Sequence, residues 1–242
     1  MRRFYIGTAG WSIPSASADR WSGEGTHLQR YACVFRCAEI NSSFHRPHAE
    51  AVYRRWARST GPSFRFAVKL PRVITHDLKL RRVRQPLERF LTESAGLGRK
   101  RGPLLVQLPP SLPFEARVAR TFFDLMRTKV KDFIVCEPRH PTWFAPEAEA
   151  MLTRFEVARA GADPPPVAGA EHPGGWAGIV YYRLHGAPRK YWSAYDEDDL
   201  GKLAERLRAV PPTAAAWCIF DNTASGAAIE NAWQLQAVLS RK

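Results

Sequence analysis

Six short apolar runs in this chain end abruptly in polar, ionisable or hydrogen-bonding residues. They are Cys37-Ala-Glu-Ile-Asn41, Phe66-Ala-Val-Lys69, Leu104-Leu-Val-Gln107, Ile134-Val-Cys-Glu137-Pro-Arg139-His140, Val180-Tyr-Tyr-Arg183-Leu-His185 and Cys218-Ile-Phe-Asp221-Asn222. Each run has the length of a buried strand, and helical patterns lie between most of them. Strands of a parallel sheet covered on both faces read as near-continuous apolar runs. Chemistry on such sheets gathers at the carboxyl ends of the strands. The pattern therefore restricts both the fold class and the address of a site.

Two weaker runs bring the expected strands to eight, over residues 4–8, 37–41, 64–69, 104–108, 133–137, 155–160, 178–184 and 217–220. Helices are expected over 27–35, 50–58, 85–97, 146–154 and 226–239. The stripes Val118/Phe122/Leu125 and Leu200/Leu203/Leu207 mark two more, because apolar residues three or four apart share a helix face. Residues 162–175 are rich in Pro and Gly and read as loop where a sixth helix belongs. Strands alternating with helices over this length predict one α/β domain spanning 1–242, a (β/α)8 TIM-barrel-like fold irregular around its sixth unit. An open doubly wound sheet is less well supported, since Ile6-Gly-Thr-Ala-Gly-Trp11 lacks the GxGxxG spacing.

With 242 residues and 45% hydrophobic content the chain can bury a large core. No run of 18 apolar residues exists, so no membrane helix is expected. Met1-Arg-Arg-Phe-Tyr-Ile-Gly7 has no long apolar segment and reads as the lead into a first strand, so the expected location is cytoplasmic. Cys33, Cys37, Cys136 and Cys218 sit among apolar neighbours and are expected as buried, reduced thiols. The formal charge of +13 favours an anionic small molecule or nucleic acid as partner. Nine basic residues against three acidic ones fall between Arg72 and Arg101. That stretch reads either as a nucleic-acid surface or as a solvated helix face.

Several segments together resemble a known family. They are Ile6-Gly-Thr-Ala-Gly-Trp-Ser12, Ala38-Glu-Ile-Asn-Ser-Ser-Phe44, Phe66-Ala-Val-Lys69 with Ile74-Thr-His76, and Leu104-Leu-Val-Gln-Leu-Pro-Pro110. Glu137-Pro-Arg-His-Pro-Thr-Trp143, Tyr182-Arg-Leu-His-Gly186 and Phe220-Asp-Asn-Thr223 with Asn231-Ala232 complete the set. In this order they resemble the YecE-like family of bacterial proteins, a domain of unknown function. The resemblance implies a barrel of the xylose-isomerase and endonuclease-IV type and no particular reaction. Where the family motif resembles Phe-Asn-Asn, this chain has Phe220-Asp221-Asn222 and so adds a carboxylate; His45 stands where an aromatic is usual.

Strand alternation places Glu39 with Asn41, Glu137 with Arg139, and Arg183 with His185, each pair on one face. Carboxylates in different environments divide acid and base roles, which makes Glu39, Glu137, His185 and Asp221 the candidate catalytic groups. The alternative is that the buried glutamates pair with arginine and hold the rim together. Asn41, Lys69, Arg139, His140, Arg183 and Asn222 are the candidate substrate-binding residues, because the planar fork of Arg matches phosphate or carboxylate. The segment Asn222–Gly226 enters the last helix either as a phosphate loop or with Ser225 or Thr223 as a simple cap. No cofactor is expected. A divalent metal is the less favoured alternative, since cationic side chains oppose one unless substrate phosphate intervenes. The expected function is an enzyme acting on a sugar phosphate or nucleic-acid backbone. A metal-free sugar isomerase or lyase, or a non-catalytic nucleic-acid-binding protein, are the alternatives. Oligomeric state is left open.

Overall fold

Residues 4–21 and 24–241 are described by a computed structural model. The expected lead over the first three residues lies outside them. The strands are β1 (Phe4–Thr8), β2 (Cys37–Ile40), β3 (Arg65–Lys69), β4 (Arg101–Gln107), β5 (Ile134–Glu137), β6 (Val157–Arg159), β7 (Gly161–Asp163), β8 (Gly174–Gly175), β9 (Ile179–Leu184) and β10 (Ala215–Phe220). The helices are α1 (His27–Val34), α2 (Ser42–His45), α3 (Glu50–Arg58), α4 (Arg84–Ser94), α5 (Ala116–Lys129), α6 (Pro146–Arg154), α7 (Glu197–Ala209) and α8 (Ala227–Ser240). The start signals are local. A capping box between Thr26 and Gln29 opens α1, and Pro146 occupies the first turn of α6. Asp196 caps α7, with three acidic residues in its first turn and Arg206 and Arg208 in its last, matching the helix dipole.

The parallel α/β architecture is present, but the strands divide into two sheets instead of one closed ladder. Their orders are β1-β10-β9-β7 and β2-β3-β4-β5-β6-β8, parallel throughout except where β8 pairs with β6. On one side the chain itself passes between sheets, from β6 through Ala160 into β7. The Ala160 N–H donates to the Cys136 carbonyl at 2.8 Å. On the other side β1 meets β2 through an isolated bridge, Ala9 with Glu39, and Gly10 N–H donates to the Glu39 carbonyl at 2.8 Å. The expected loop over 162–175 thus contains a strand residue pair at Gly174–Gly175 and most of β7. No helix lies between Asp163 and Ile179, where the irregular sixth unit was expected.

Alternation along the strands sorts the core into two layers. Cys37, Ala67, Leu105, Val135, Ala158, Tyr181, Trp217 and Ile219 form an inner cluster drawn from both sheets. Their neighbours Ala38, Phe66, Val68, Leu104, Ile134 and Cys136 face the helices in the larger outer core. At the amino ends of the strands the inner cluster closes with a stack, Tyr5 on Trp217 at 4.6 Å and Tyr181 on Trp217 at 6.0 Å. Three cysteines are buried, as expected. Cys33 is exposed, because α1 turns that position away from its buried face at Leu28 and Tyr31.

Gly7 sits at the seam of the sheets. A Cβ there would lie 2.2 Å from the Cys37 carbonyl oxygen, which belongs to backbone and cannot swing aside. Gly201, within α7, has nothing within 4 Å of its would-be Cβ. Gly7→Ala is expected to lower stability by about 2–3 kcal/mol through overpacking. Gly201→Ala is expected to raise it by about 0.5–1 kcal/mol, since alanine restricts the unfolded chain and suits a helix. Urea midpoints of the two variants check both signs; equal midpoints would contradict the tight seam.

Candidate functional site

The period of two that builds the inner cluster also builds the site. Glu39 lies two residues beyond Cys37, Lys69 beyond Ala67, Gln107 beyond Leu105, Glu137 beyond Val135, Arg183 beyond Tyr181 and Asp221 beyond Ile219. Each continues an inward row to the carboxyl end of its strand. The interior is therefore apolar at one end and ionic at the other.

Arg183, 0% exposed, is the centre of this ionic layer. Its Nε and one terminal nitrogen clamp Glu39 at 3.1 and 2.7 Å. Its other terminal nitrogen donates to Glu137 at 2.5 Å, and a further bond reaches Asp221 at 3.1 Å. Four of the roughly five guanidinium N–H groups are thus occupied by carboxylates. The guanidinium fills the space between three acids. Among the described residues no group of His, Cys, Asp and Glu is arranged to hold a metal ion.

His185 bridges two of the same acids, Nδ1 to Asp221 and Nε2 to Glu137, both at 3.0 Å. Ionised carboxylates only accept hydrogen bonds, so both contacts are satisfied when both ring nitrogens carry protons. Burial alone pushes the Glu137 carboxyl up. Arg183, His185 and Arg139 overturn that and hold it well below the usual range. Asp221 is held low in the same way, burial opposing and Arg183 and His185 prevailing. Arg183 is correspondingly locked in its charged form: burial disfavours the charge, and Glu137, Glu39 and Asp221 outweigh burial.

Two residues that strand-end reasoning left without a role complete the layer. Tyr181 donates its hydroxyl to Glu39 at 2.8 Å, and Gln107 donates to Glu137 at 3.1 Å. Both lie on the inward rows, which is the sequence signal that points to them. Asn41 donates to Asp221 at a long 3.4 Å.

A rim of basic groups stands next to the ionic layer. Arg139 donates to Glu137 at 3.3 Å and remains partly exposed. Lys69 packs its ammonium over the Phe44 ring at 4.1 Å. Burial and the charge of Arg183 bring Lys69 down to about 8. His76, on a π-helical turn over Val73–Asp77, is held down to about 4 by burial and by Arg72, Lys69 and Arg139. It is therefore neutral near pH 7, and turns of this kind recur at functional sites. Lys190 also feels Arg139, after burial the second cause that lowers it. His76, Lys190 and the adjoining Tyr191 were not among the expected substrate-binding residues. The last two sit in a loop with no period for the sequence to show.

Other expected residues lie elsewhere. The Asn222 amide donates to the Ser193 carbonyl at 2.9 Å and to Asn231 at 3.0 Å, so it pins the loop after β9 and does not join the ionic layer. His140 accepts from Thr142 N–H and caps the short turn Pro141–Phe144. Trp143 is buried with its ring N–H on the Leu112 carbonyl at 3.0 Å. Gly226, the residue before helix α8, offers no side-chain cap, while Ser225 accepts from Ala227 N–H at 3.3 Å. The basic stretch is largely neutralised. Arg72, Arg81, Arg84, Arg89 and Arg101 pair with Asp77, Glu115, Glu88, Glu93 and Asp132. Lys100 turns inward to the carbonyls of Ala57 and Thr60 at 2.6 Å.

No helix among the described residues is long and apolar enough to cross a membrane. Solved structures share the whole fold. A DUF72 family protein of Enterococcus faecalis V583, EF0366, aligns with a TM-score of 0.82 at 20% identity, covering 99% of this chain and 96% of that one. The DUF72 family protein TM1631 of Thermotoga maritima MSB8 aligns at 0.78 and 23% identity, covering 98% of both chains. By sequence the chain is 33% identical over 153 residues to UPF0759 protein YecE of Escherichia coli K12. That match takes in 62% of this chain and about half, 54%, of the length of YecE. Residues 5–242 match the family described as "Protein of unknown function DUF72", and the chain belongs to that family.

Proposed function

We propose that this chain is an enzyme for a phosphate-bearing substrate, a sugar phosphate or a nucleic-acid backbone, working by carboxylate and histidine proton transfer at the strand ends. The observation that carries the reading is the charge layering. An ion network of Glu39, Glu137 and Asp221 around Arg183 and His185 adjoins a rim of additional cations. Three acids stand against Arg183, Arg139, Lys69 and Lys190, which leaves one positive charge in surplus before His185 is counted. A surplus of this kind in a partly desolvated mouth favours an anion. Arg139 and Lys190 would hold the phosphate. His185 would carry the proton between Glu137 and Asp221, since a group hydrogen-bonded to two carboxylates relays protons without moving. Arg183, with its donors occupied, would position the acids and not touch the substrate. The two sheets are read as the arcs of one (β/α)8-like barrel domain; the shared inner cluster and the continuity of β6 with β7 support this.

A second reading, a metal-free isomerase or lyase for an unphosphorylated sugar, is favoured by one observation: Arg183 is bound wholly to carboxylates. A non-catalytic nucleic-acid surface has less support, because most of the basic stretch is paired with acids. Arg139→Gln separates the first two. Losing one charge-assisted contact to an anion weakens binding about tenfold or more. Inorganic phosphate titrated into wild type and variant by calorimetry should show that loss with melting temperature nearly unchanged. No phosphate binding to the wild type at low salt would sink the phosphate reading and leave the second.

A further inference from the structure

Lys69 ends β3 on the inward row and is 8% exposed. Its ammonium touches the Phe44 ring and has no hydrogen-bond acceptor or ion pair among the described residues. The other buried cations are paired. Arg159 pairs with Glu149, and Arg183 donates to three carboxylates. An amine that is desolvated and unpaired, beside another cation, is in the arrangement that turns lysine into a nucleophile. Its lowering to about 8 agrees with that geometry.

We propose that Lys69 captures the carbonyl carbon of a small phosphorylated aldose or ketose as a Schiff base. The phosphate in this substrate class rests on the function proposed above; the amine chemistry does not. The nitrogen lone pair forms the C–N bond while the carbonyl π pair moves to oxygen, and one proton passes from nitrogen to that oxygen. A second proton converts the hydroxyl to water, which leaves as the C=N bond forms, giving an iminium. No oxidant or reductant takes part. The iminium keeps one positive charge where the ammonium was, so the neighbouring carboxylates remain balanced.

The test is reductive trapping of the full chain with glyceraldehyde 3-phosphate or glyceraldehyde, using cyanoborohydride at pH 7 and peptide mapping by mass. A lysine at about 8 has roughly two-hundredfold more neutral amine at that pH than ordinary exposed lysines. Because a weaker base is also a poorer nucleophile, Lys69 should label about tenfold or more faster than exposed lysines such as Lys79. Lys69→Arg should lose the adduct and retain its circular dichroism spectrum. Faster labelling by the phosphorylated aldehyde supports both the Schiff base and the anion site. Equal labelling of Lys69 by the two aldehydes supports the Schiff base and removes the phosphate. Labelling no faster than at Lys79 with either aldehyde overturns the proposal, whether or not the variant folds.

Discussion

Arg183→Met is expected to destabilise the fold by about 3–5 kcal/mol at pH 7, the usual cost of removing one partner from a buried ion cluster. Methionine approximates the volume and removes the charge, so Glu39, Glu137 and Asp221 are left buried with only His185 and the rim residue Arg139 paired to them. The pH dependence carries the sharper signature. In the wild type the Glu137 and Asp221 pKa values lie below their ordinary values of 4.5 and 3.8. A depressed carboxylate contributes stability that is complete above its unfolded value and is lost as pH falls through the folded one. Wild-type stability from this cluster is thus flat from pH 7 to about 5 and declines only in acid. Without Arg183, burial dominates and raises the same carboxyls, so the variant gains stability as pH falls from 7 toward 5. Urea unfolding at several pH values measures both slopes. Parallel slopes would mean that Arg183 does not hold these carboxylates ionised.

Glu137→Gln is expected to lower turnover about 10²–10⁴-fold, the range for losing a positioned acid–base group. The substrate is to be drawn from an unbiased screen of metabolites and oligonucleotides. The carboxamide keeps one acceptor for Arg183 and places an N–H₂ where His185 and Arg139 now donate. His185 then loses the acceptor that lets it span the two acids. Phosphate binding should persist, since the rim cations are untouched. A variant that retains wild-type turnover would remove Glu137 from the chemistry.

The inward rows were legible because a strand repeats every two residues. Once Leu105, Val135 and Ile219 read as core, Gln107, Glu137 and Asp221 had to point the same way. The grouping of Glu39, Glu137, Arg183, His185 and Asp221 followed from that rule and from the placement of chemistry at strand ends. The particular pairing did not, because periodicity sets a direction and not a partner. Arg183 read equally well as an anion binder and as the bond between acids. The position of Asn222 next to Asp221 suggested a shared role, yet alternation sends adjacent residues to opposite faces. His76, Lys190 and Tyr191 reach the rim through a π-helical turn and an irregular loop, where no repeat exists to be read. The same holds for the two-sheet division, which depends on close approach at Gly7 and on the backbone at Ala160.

The seam between β1 and β2 has a consequence in time. Phe4 pairs with Ala216 and Thr8 with Phe220. Strand β1 therefore has no full ladder partner until β10, the last of the described strands, has followed it. Meanwhile Glu39 and Glu137 are already in place on the other sheet, and their counter-charge arrives with β9. Until then Glu39 has no partner cation and Glu137 only the partly exposed Arg139, and carboxylates so placed keep their water, because dehydrating them is too costly. The growing sheet thus stays open on its inner side, wet at one end, until Arg183 is made. The acids of one sheet come early in the chain and the arginine that joins them late, so the ionic layer is incomplete until β9 follows.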